Sequence, residues 1–268
     1  MTNSSAKGTN RTSETVKDLT GVRIAVTGGT SGLGLALVRE SLARGARVAF
    51  VARTAKRVEQ VARENDGAHG IVGDISRKDD IYPIAMQITG LLGGLDVLIN
   101  NASDLGPVPL QMLSDTECED FVRAFETNVI GPFRLTKVLM GALTASAREG
   151  RGAIVLNISS DAAINPYQGW GAYGSSKAAF HHLTRIWREE HASEKVHFLS
   201  LDPGDMDTPM HAAAIPDANP STLKRPEDSA HELVDVIVNT LTTCDEPLAP
   251  PTRSSFEGAL RDDCRNST

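Results

Sequence analysis

Short apolar runs alternate with longer amphipathic stretches along most of the chain. The apolar runs predict strands over Arg23–Val26, Arg47–Val51, Gly70–Val72, Val97–Asn100, Ala153–Ile158 and Val196–Leu201. Between them, apolar positions three and four apart predict helices over Gly32–Arg44, Ala55–Glu64, Asp79–Leu92, Glu117–Ala147 and Tyr173–His191. Parallel strands need a crossover between them, and a helix lying on the sheet supplies it while burying its own apolar face. The expected fold class is therefore α/β, a doubly wound parallel sheet with helices on both faces in a single domain. Beyond Leu201 the pattern loosens. Asp207–Pro226 predicts a loop with a short helix around Met210–Ala214, a segment long enough to act as a lid, and Pro226–Leu241 predicts a last helix. The expected organisation is a disordered polar leader over 1–20, one domain over 21–245, and an atypical tail over 246–268 broken by Pro247, Pro250 and Pro251.

Composition narrows the partners. The chain has 268 residues and a net charge of −7, with its basic residues scattered, so neither a nucleic acid nor an anionic membrane is expected. No run approaches the roughly 20 apolar residues of a membrane span. Cys118, Cys244 and Cys264 lack metal-ligand spacing and are odd in number, as free thiols in a reducing cytoplasm would be. The seven histidines show no ligand spacing either, so no metal site is expected.

Chemistry enters at Thr27-Gly28-Gly29-Thr30-Ser31-Gly32-Leu33-Gly34, directly after the apolar stretch Val22–Val26. A strand feeding a glycine-rich turn and then a helix brings backbone N–H groups and a helix N-terminus against a pyrophosphate. A Cβ at Gly28 or Gly32 would obstruct that turn or that approach. This Rossmann-type signal is joined by Tyr173 and Lys177, four apart at the start of a helix and so on one face. An ammonium one turn from a phenol is expected to lower its pKa and make it a usable proton donor and acceptor. Ser159 and Ser160 end the strand at Ala153–Ile158, where an open parallel sheet binds its ligands, and either hydroxyl could meet a carbonyl there.

Taken in order, these motifs resemble the short-chain dehydrogenase/reductase family over about Leu19 to Leu241. The matches are Thr27-Gly28-x-x-x-Gly32-x-Gly34, Asn100-Asn101-Ala102, Asn128-Val129-x-Gly131, Ser160, Tyr173-x-x-x-Lys177 and Pro203-Gly204-x-x-x-Thr208. The resemblance implies that Tyr173 exchanges a proton with a carbonyl oxygen and that Lys177 lowers its pKa and holds the nicotinamide ribose. It implies that Ser160 orients the carbonyl and that Asn128 holds a water linking Lys177 to solvent. It also implies cofactor contacts from Thr27, Gly28, Thr30, Ser31, Gly32, Leu33 and Gly34. Asp74 and Ile75 would contact adenine, Asn101 and Ala102 would follow the fourth strand, and Pro203, Gly204, Met206 and Thr208 would lie near the carboxamide.

Where users of NAD carry an acid for the ribose 2′-hydroxyl, this chain has Ala52 followed by Arg53. An Arg fork suits a 2′-phosphate, so NADP(H) is the expected cofactor. Candidate pocket residues are Ser103, Leu105, Asp161, Tyr167, Trp170, Met210 and His211. The expected partner is a small carbonyl or alcohol, with reduction favoured. A non-redox dehydratase or isomerase on the same site and a redox-silent NADP-binding regulator are the alternatives. Ser103 stands where the family usually has Gly, and the family's closing strand is not found. A homodimer through the helices at Glu117–Ala147 and Tyr173–His191, or a homotetramer, is expected.

Overall fold

The computed structural model of the protein describes residues 19–242. Strands β1 (Arg23–Thr27), β2 (Arg47–Ala52), β3 (Ala68–Val72), β4 (Val97–Asn100), β5 (Ala153–Ile158) and β6 (Val196–Leu201) form one sheet. Its order is β3-β2-β1-β4-β5-β6, with every neighbouring pair parallel. The helices are α1 (Gly32–Ala43), α2 (Ala55–Glu64), α3 (Lys78–Leu92), α4 (Cys118–Phe125), α5 (Gly131–Arg148), α6 (Gly171–Glu190), α7 (Pro209–Ala214) and α8 (Pro226–Thr242). Chain order reverses between β1 and β4, and that switch point opens a crevice at the strands' carboxyl ends.

Both faces of the sheet are covered, which explains the near-continuous apolar strands. On β1, Val26 packs with Leu37 of α1 and Leu233 of α8, while its neighbour Ala25 faces the opposite layer with Ile88 of α3 and Leu139 of α5. Successive side chains of one strand thus supply two separate cores.

Most element ends shift from expectation by one or two residues, and two of the differences have a physical reason. The long helix predicted over Glu117–Ala147 is instead α4 and α5 joined by a π-helical turn at Glu126–Ile130. An inserted residue of this kind leaves the apolar period intact on either side, so periodicity misses it. Strand β3 starts at Ala68, pairing Ala68 and His69 with Val48 and Ala49, because an edge strand does not need an apolar run. Leu19, placed at the end of the leader, is buried, and its N–H donates to the Arg44 carbonyl at 2.8 Å. The remainder of the expected leader and the expected tail lie outside the described residues, as do Cys244 and Cys264. Cys118 is exposed and free.

At the other end of the sheet, the buried Asp96 carboxylate accepts from Arg23 Nη2 at 2.6 Å, Arg151 Nη2 at 3.1 Å and the Ser146 hydroxyl. Burial pushes this carboxyl up, but Arg23, Arg151 and Ser146 outweigh it and hold it at about 2. A depressed carboxyl stabilises the fold above its unfolded pKa, and that stability is lost as pH falls through the folded value. Asp96 should therefore contribute on the order of 2 kcal/mol at neutral pH. Urea unfolding from neutral pH down to about pH 2 should show the loss, and Asp96→Asn should flatten it.

Candidate active site

The crevice at the switch point is a cleft of about 710 Å³. Its floor is the turn after β1, where Gly28 and Gly32 take left-handed backbone angles, φ +73° and +49°. A Cβ on Gly28 would lie 2.9 Å from Ala102 Cα, and one on Gly34 would lie 2.1 Å from the Gly28 carbonyl oxygen. The glycines thus let three backbone segments meet. Thr30, Ser31 and Leu33 line the cleft beside them, with the N-terminus of α1 beginning at Gly32. Thr27 itself does not reach the cleft. It is fully buried, and its hydroxyl accepts from the N–H groups of Asn101 and Ala102 at 3.0 and 3.1 Å, clasping β1 to β4. Asn101 and Ala102 line the cleft above that clasp, and Asn101 Nδ2 donates to the Thr27 carbonyl at 2.9 Å.

Past β2, Ala52 and Arg53 border the cleft. The Arg53 side chain is exposed and makes no hydrogen bond or ion pair among the described residues. Asp74 and Ile75 form the adjoining wall, with the Asp74 carboxylate occupied by the N–H and hydroxyl of Ser76 at 2.9 and 2.7 Å. Pro203, Gly204, Met206 and Thr208 close the opposite side. There Thr208 caps α7 by accepting from His211 N–H at 3.2 Å, and the Ser229 hydroxyl donates to the Pro203 carbonyl at 2.9 Å.

At the deep end, Tyr173 and Lys177 project from one face of α6 and are both buried. Lys177 Nζ donates to the Ile158 carbonyl at 2.9 Å and stands 5.4 Å from the Tyr173 ring centroid. The hydroxyls of Ser160 and Ser103 both favour the ionised phenol, against the effect of its burial. Ser160 also donates to Asp161 Oδ1 at 3.2 Å. Ser159 lines the cleft beside Ser160.

The expected depression of the phenol is not what this environment produces. Burial drives the Tyr173 pKa up to about 12, with the Asp202 and Asp161 carboxylates adding to the rise and the two serines opposing it. Burial also lowers the Lys177 ammonium to about 8, against a rise from Asp202. Asn128 is likewise not in the cleft wall. Its amide is saturated, with Oδ1 accepting from Asp104 N–H at 2.7 Å and Ser103 at 3.1 Å. Its Nδ2 donates to the Asp104 carbonyl and the Ser176 hydroxyl, each at 2.8 Å.

A glycine cradle at a switch point, a buried Tyr173-Lys177 pair and the half-buried Ser160 share one cleft, in the order the motifs require. The family model for short chain dehydrogenases matches residues 23–219. The chain belongs to the short-chain dehydrogenase family. Among its relatives, an uncharacterized oxidoreductase of Mycobacterium bovis is 32% identical over 224 residues, covering 81% of this chain and 64% of the relative. The chain thus spans less than two thirds of that relative's length. The 2-(R)-hydroxypropyl-CoM dehydrogenase of Xanthobacter autotrophicus is 32% identical over 190 residues, 69% of this chain and 74% of its own. A solved 3-ketoacyl-(acyl-carrier-protein) reductase from Brucella melitensis, complexed with NADH, is 27% identical with a TM-score of 0.75, covering 82% of this chain and 91% of its own.

In this short-chain dehydrogenase the outer end of the cleft is aromatic and acidic. Trp170 meets Tyr173 edge-on at 5.6 Å and Tyr167 at 6.5 Å, and the Tyr167 hydroxyl donates to Asp161 Oδ2 at 2.7 Å. Leu105 packs with Tyr173 and Ala162 in a small buried cluster. Met210 and His211 overhang it from α7, and the His211 Nδ1 is buried with no hydrogen-bond partner among the described residues. Ser103 completes the wall. Asp202, Asp205, Ala214 and Ile215 also line the cleft and were not among the expected residues. Asp202 sits next to the Pro203-Gly204 motif, and an acid there was the one available signal.

Proposed function

We propose that this chain is an NADP(H)-dependent oxidoreductase that reduces a ketone, aldehyde or quinone carbonyl to the alcohol, or runs the reverse oxidation. The observation that carries this reading is the convergence of Tyr173, Lys177 and Ser160 at the closed end of a cleft whose other end is the glycine cradle. A Cβ at Gly28 or Gly34 would fill that cradle, so the residues present fit a dinucleotide. Arg53, exposed at the end of β2 where Ala52 leaves no acid, fits a 2′-phosphate.

Bound NADPH would supply the hydride. Ser160 is the hydroxyl placed to orient the carbonyl, since it adjoins the phenol at the end of β5. Tyr173 is the proton donor to the carbonyl oxygen. With its pKa near 12 it is protonated at neutral pH, which suits reduction. The buried Lys177 ammonium stabilises the phenolate left behind. Because the Asn128 amide is saturated, the water link assigned to this residue would fall to its backbone within the π turn.

The same reading makes residues 21–245 one dinucleotide-binding and catalytic unit in a cytoplasmic homodimer or homotetramer. Exposed Val122 on α4 and Ile186 on α6 support self-association. Among the described residues no helix is long and apolar enough to cross a membrane.

The test is NADPH and NADH oxidation over a panel of ketones, aldehydes and quinones. Arg53→Ala should weaken NADPH by about ten- to a hundredfold, the value of a charge-assisted pair, and leave NADH nearly unchanged. Equal loss of both, or of neither, contradicts the 2′-phosphate assignment.

A further inference from the structure

Ser160 has one proton and two claims on it. Its oxygen is anchored by accepting from the Ala162 N–H at 3.2 Å, and its hydroxyl donates to Asp161 Oδ1, also at 3.2 Å. A serine hydroxyl carries a single proton. A carbonyl oxygen oriented by Ser160 must therefore draw that proton away from Asp161.

The other carboxylate oxygen is already committed. Asp161 Oδ2 accepts from the Tyr167 hydroxyl at 2.7 Å, and the Tyr167 ring is set edge-on to Trp170 at 6.5 Å. Both partners of Asp161 are neutral hydroxyls, and among the described residues no lysine, arginine or histidine forms an ion pair with it. Lys177 is held on the Ile158 carbonyl, and Arg53 borders the cleft past β2. The exchange at Ser160 thus takes a donor from an unpaired carboxylate. A substrate that brings its own donor restores the bond, and a charged acceptor makes that bond stronger than a neutral one would.

Distances fix where the donor belongs. A carbonyl oxygen bound to Ser160 lies about 2.8 Å from Oγ, so it stands at most about 6 Å from Asp161 Oδ1. A hydroxyl on the neighbouring carbon lies on the order of 3 Å from that carbonyl oxygen, and one hydrogen bond of about 2.8 Å spans the rest.

We propose that Asp161 is a specificity-determining residue, selecting carbonyl compounds with a hydroxyl or ammonium on the carbon next to the carbonyl and disfavouring a carboxylate there. Asp161 is exposed, so water competes for Oδ1 and the selection is a matter of ratio. The inference rests on Ser160 orienting the carbonyl in the proposed reaction.

The experiment compares kcat/KM for 2-hydroxyacetophenone, acetophenone and phenylglyoxylate with NADPH, in the unaltered protein, Asp161→Ala and Asp161→Asn. The intrinsic reactivities of the three ketones cancel when their ratios are compared between proteins. Asp161→Ala should lower the ratio of hydroxyketone to plain ketone by about tenfold, the value of one hydrogen bond to a charged group. Asp161→Asn keeps an acceptor oxygen without the charge. It should retain more of that ratio while phenylglyoxylate gains about tenfold relative to acetophenone. Calorimetry with NADP present reads the same preference without turnover. 1-Phenylethane-1,2-diol should bind the unaltered protein about tenfold more tightly than 1-phenylethanol, and Asp161→Ala should bind the two alike. Should Asp161→Ala fail to fold, the phenylglyoxylate ratio in Asp161→Asn decides. Unchanged ratios in the variants, or equal binding of the two alcohols to the unaltered protein, would overturn the role of Asp161. Acetophenone turnover undiminished in Ser160→Ala would instead overturn the reading on which it rests.

Discussion

Tyr173→Phe should lower kcat for carbonyl reduction by about a thousandfold, within the range general acids contribute. NADPH affinity and the unfolding temperature should change little. Phe keeps the ring that packs against Trp170 and Leu105, so the buried cluster survives. What disappears is the phenolic hydroxyl whose ionised form Ser160 and Ser103 favour. The loss should also be independent of pH, since no remaining group can titrate into the role. Lys177 cannot substitute, because its Nζ is held on the Ile158 carbonyl and faces the ring from 5.4 Å. Steady-state kinetics beside a cofactor-binding titration read both halves. Equal loss of binding and turnover would make Tyr173 a packing residue.

The second large effect is expected at Gly34, far from the reacting atoms. In Gly34→Ala the new methyl would lie 2.1 Å from the Gly28 carbonyl oxygen, 2.8 Å from Gly28 C and 2.5 Å from Asn101 Nδ2. Two of those are backbone atoms and cannot rotate away. Either α1 lifts off the turn or the turn opens, and α1 is also held by α8 on its other side. Overpacking of this kind costs about 1–3 kcal/mol. In a domain of this size that lowers Tm by roughly 2–4 °C per kcal/mol. The cradle deforms along with it, so NADPH affinity should fall by about a hundredfold, because N–H groups aimed at a pyrophosphate tolerate little displacement. Gly90→Ala in α3 is the control. Its methyl meets nothing within 4 Å, and it should stabilise the helix by about 0.5–1 kcal/mol. Calorimetry with and without NADPH distinguishes the two, and identical behaviour would contradict the close-approach account.

Much of the scaffold was legible because burial on both faces leaves an unbroken apolar signature. Val97–Asn100, Ala153–Ile158 and Val196–Leu201 are strands at the bounds their composition suggests. The glycine turn was legible for a related reason, since positive φ and close backbone approach admit few other residues. Features that depend on an inserted residue or on three-dimensional proximity were not. The π turn at Glu126–Ile130 disturbs no hydrophobic period. The sign of the Tyr173 shift depends on burial, and α6 alone predicts only the neighbouring ammonium. Thr27 and Asn128 belong to the right motifs, yet each is saturated by bonds to the loop after β4 and stands behind the cleft wall. Asp202 couples to Tyr173 and Lys177 across the cleft, a relation no local pattern contains.

The most direct measurement follows the hydride itself. Purified protein would be incubated with NADPH deuterated at the transferring carbon and the carbonyl panel, and the alcohols analysed by mass spectrometry. The account predicts one deuterium on the carbinol carbon of at least one product, with transfer abolished in Tyr173→Phe. Tight NADPH binding with no deuterium in any product, or transfer undiminished in Tyr173→Phe, would contradict it.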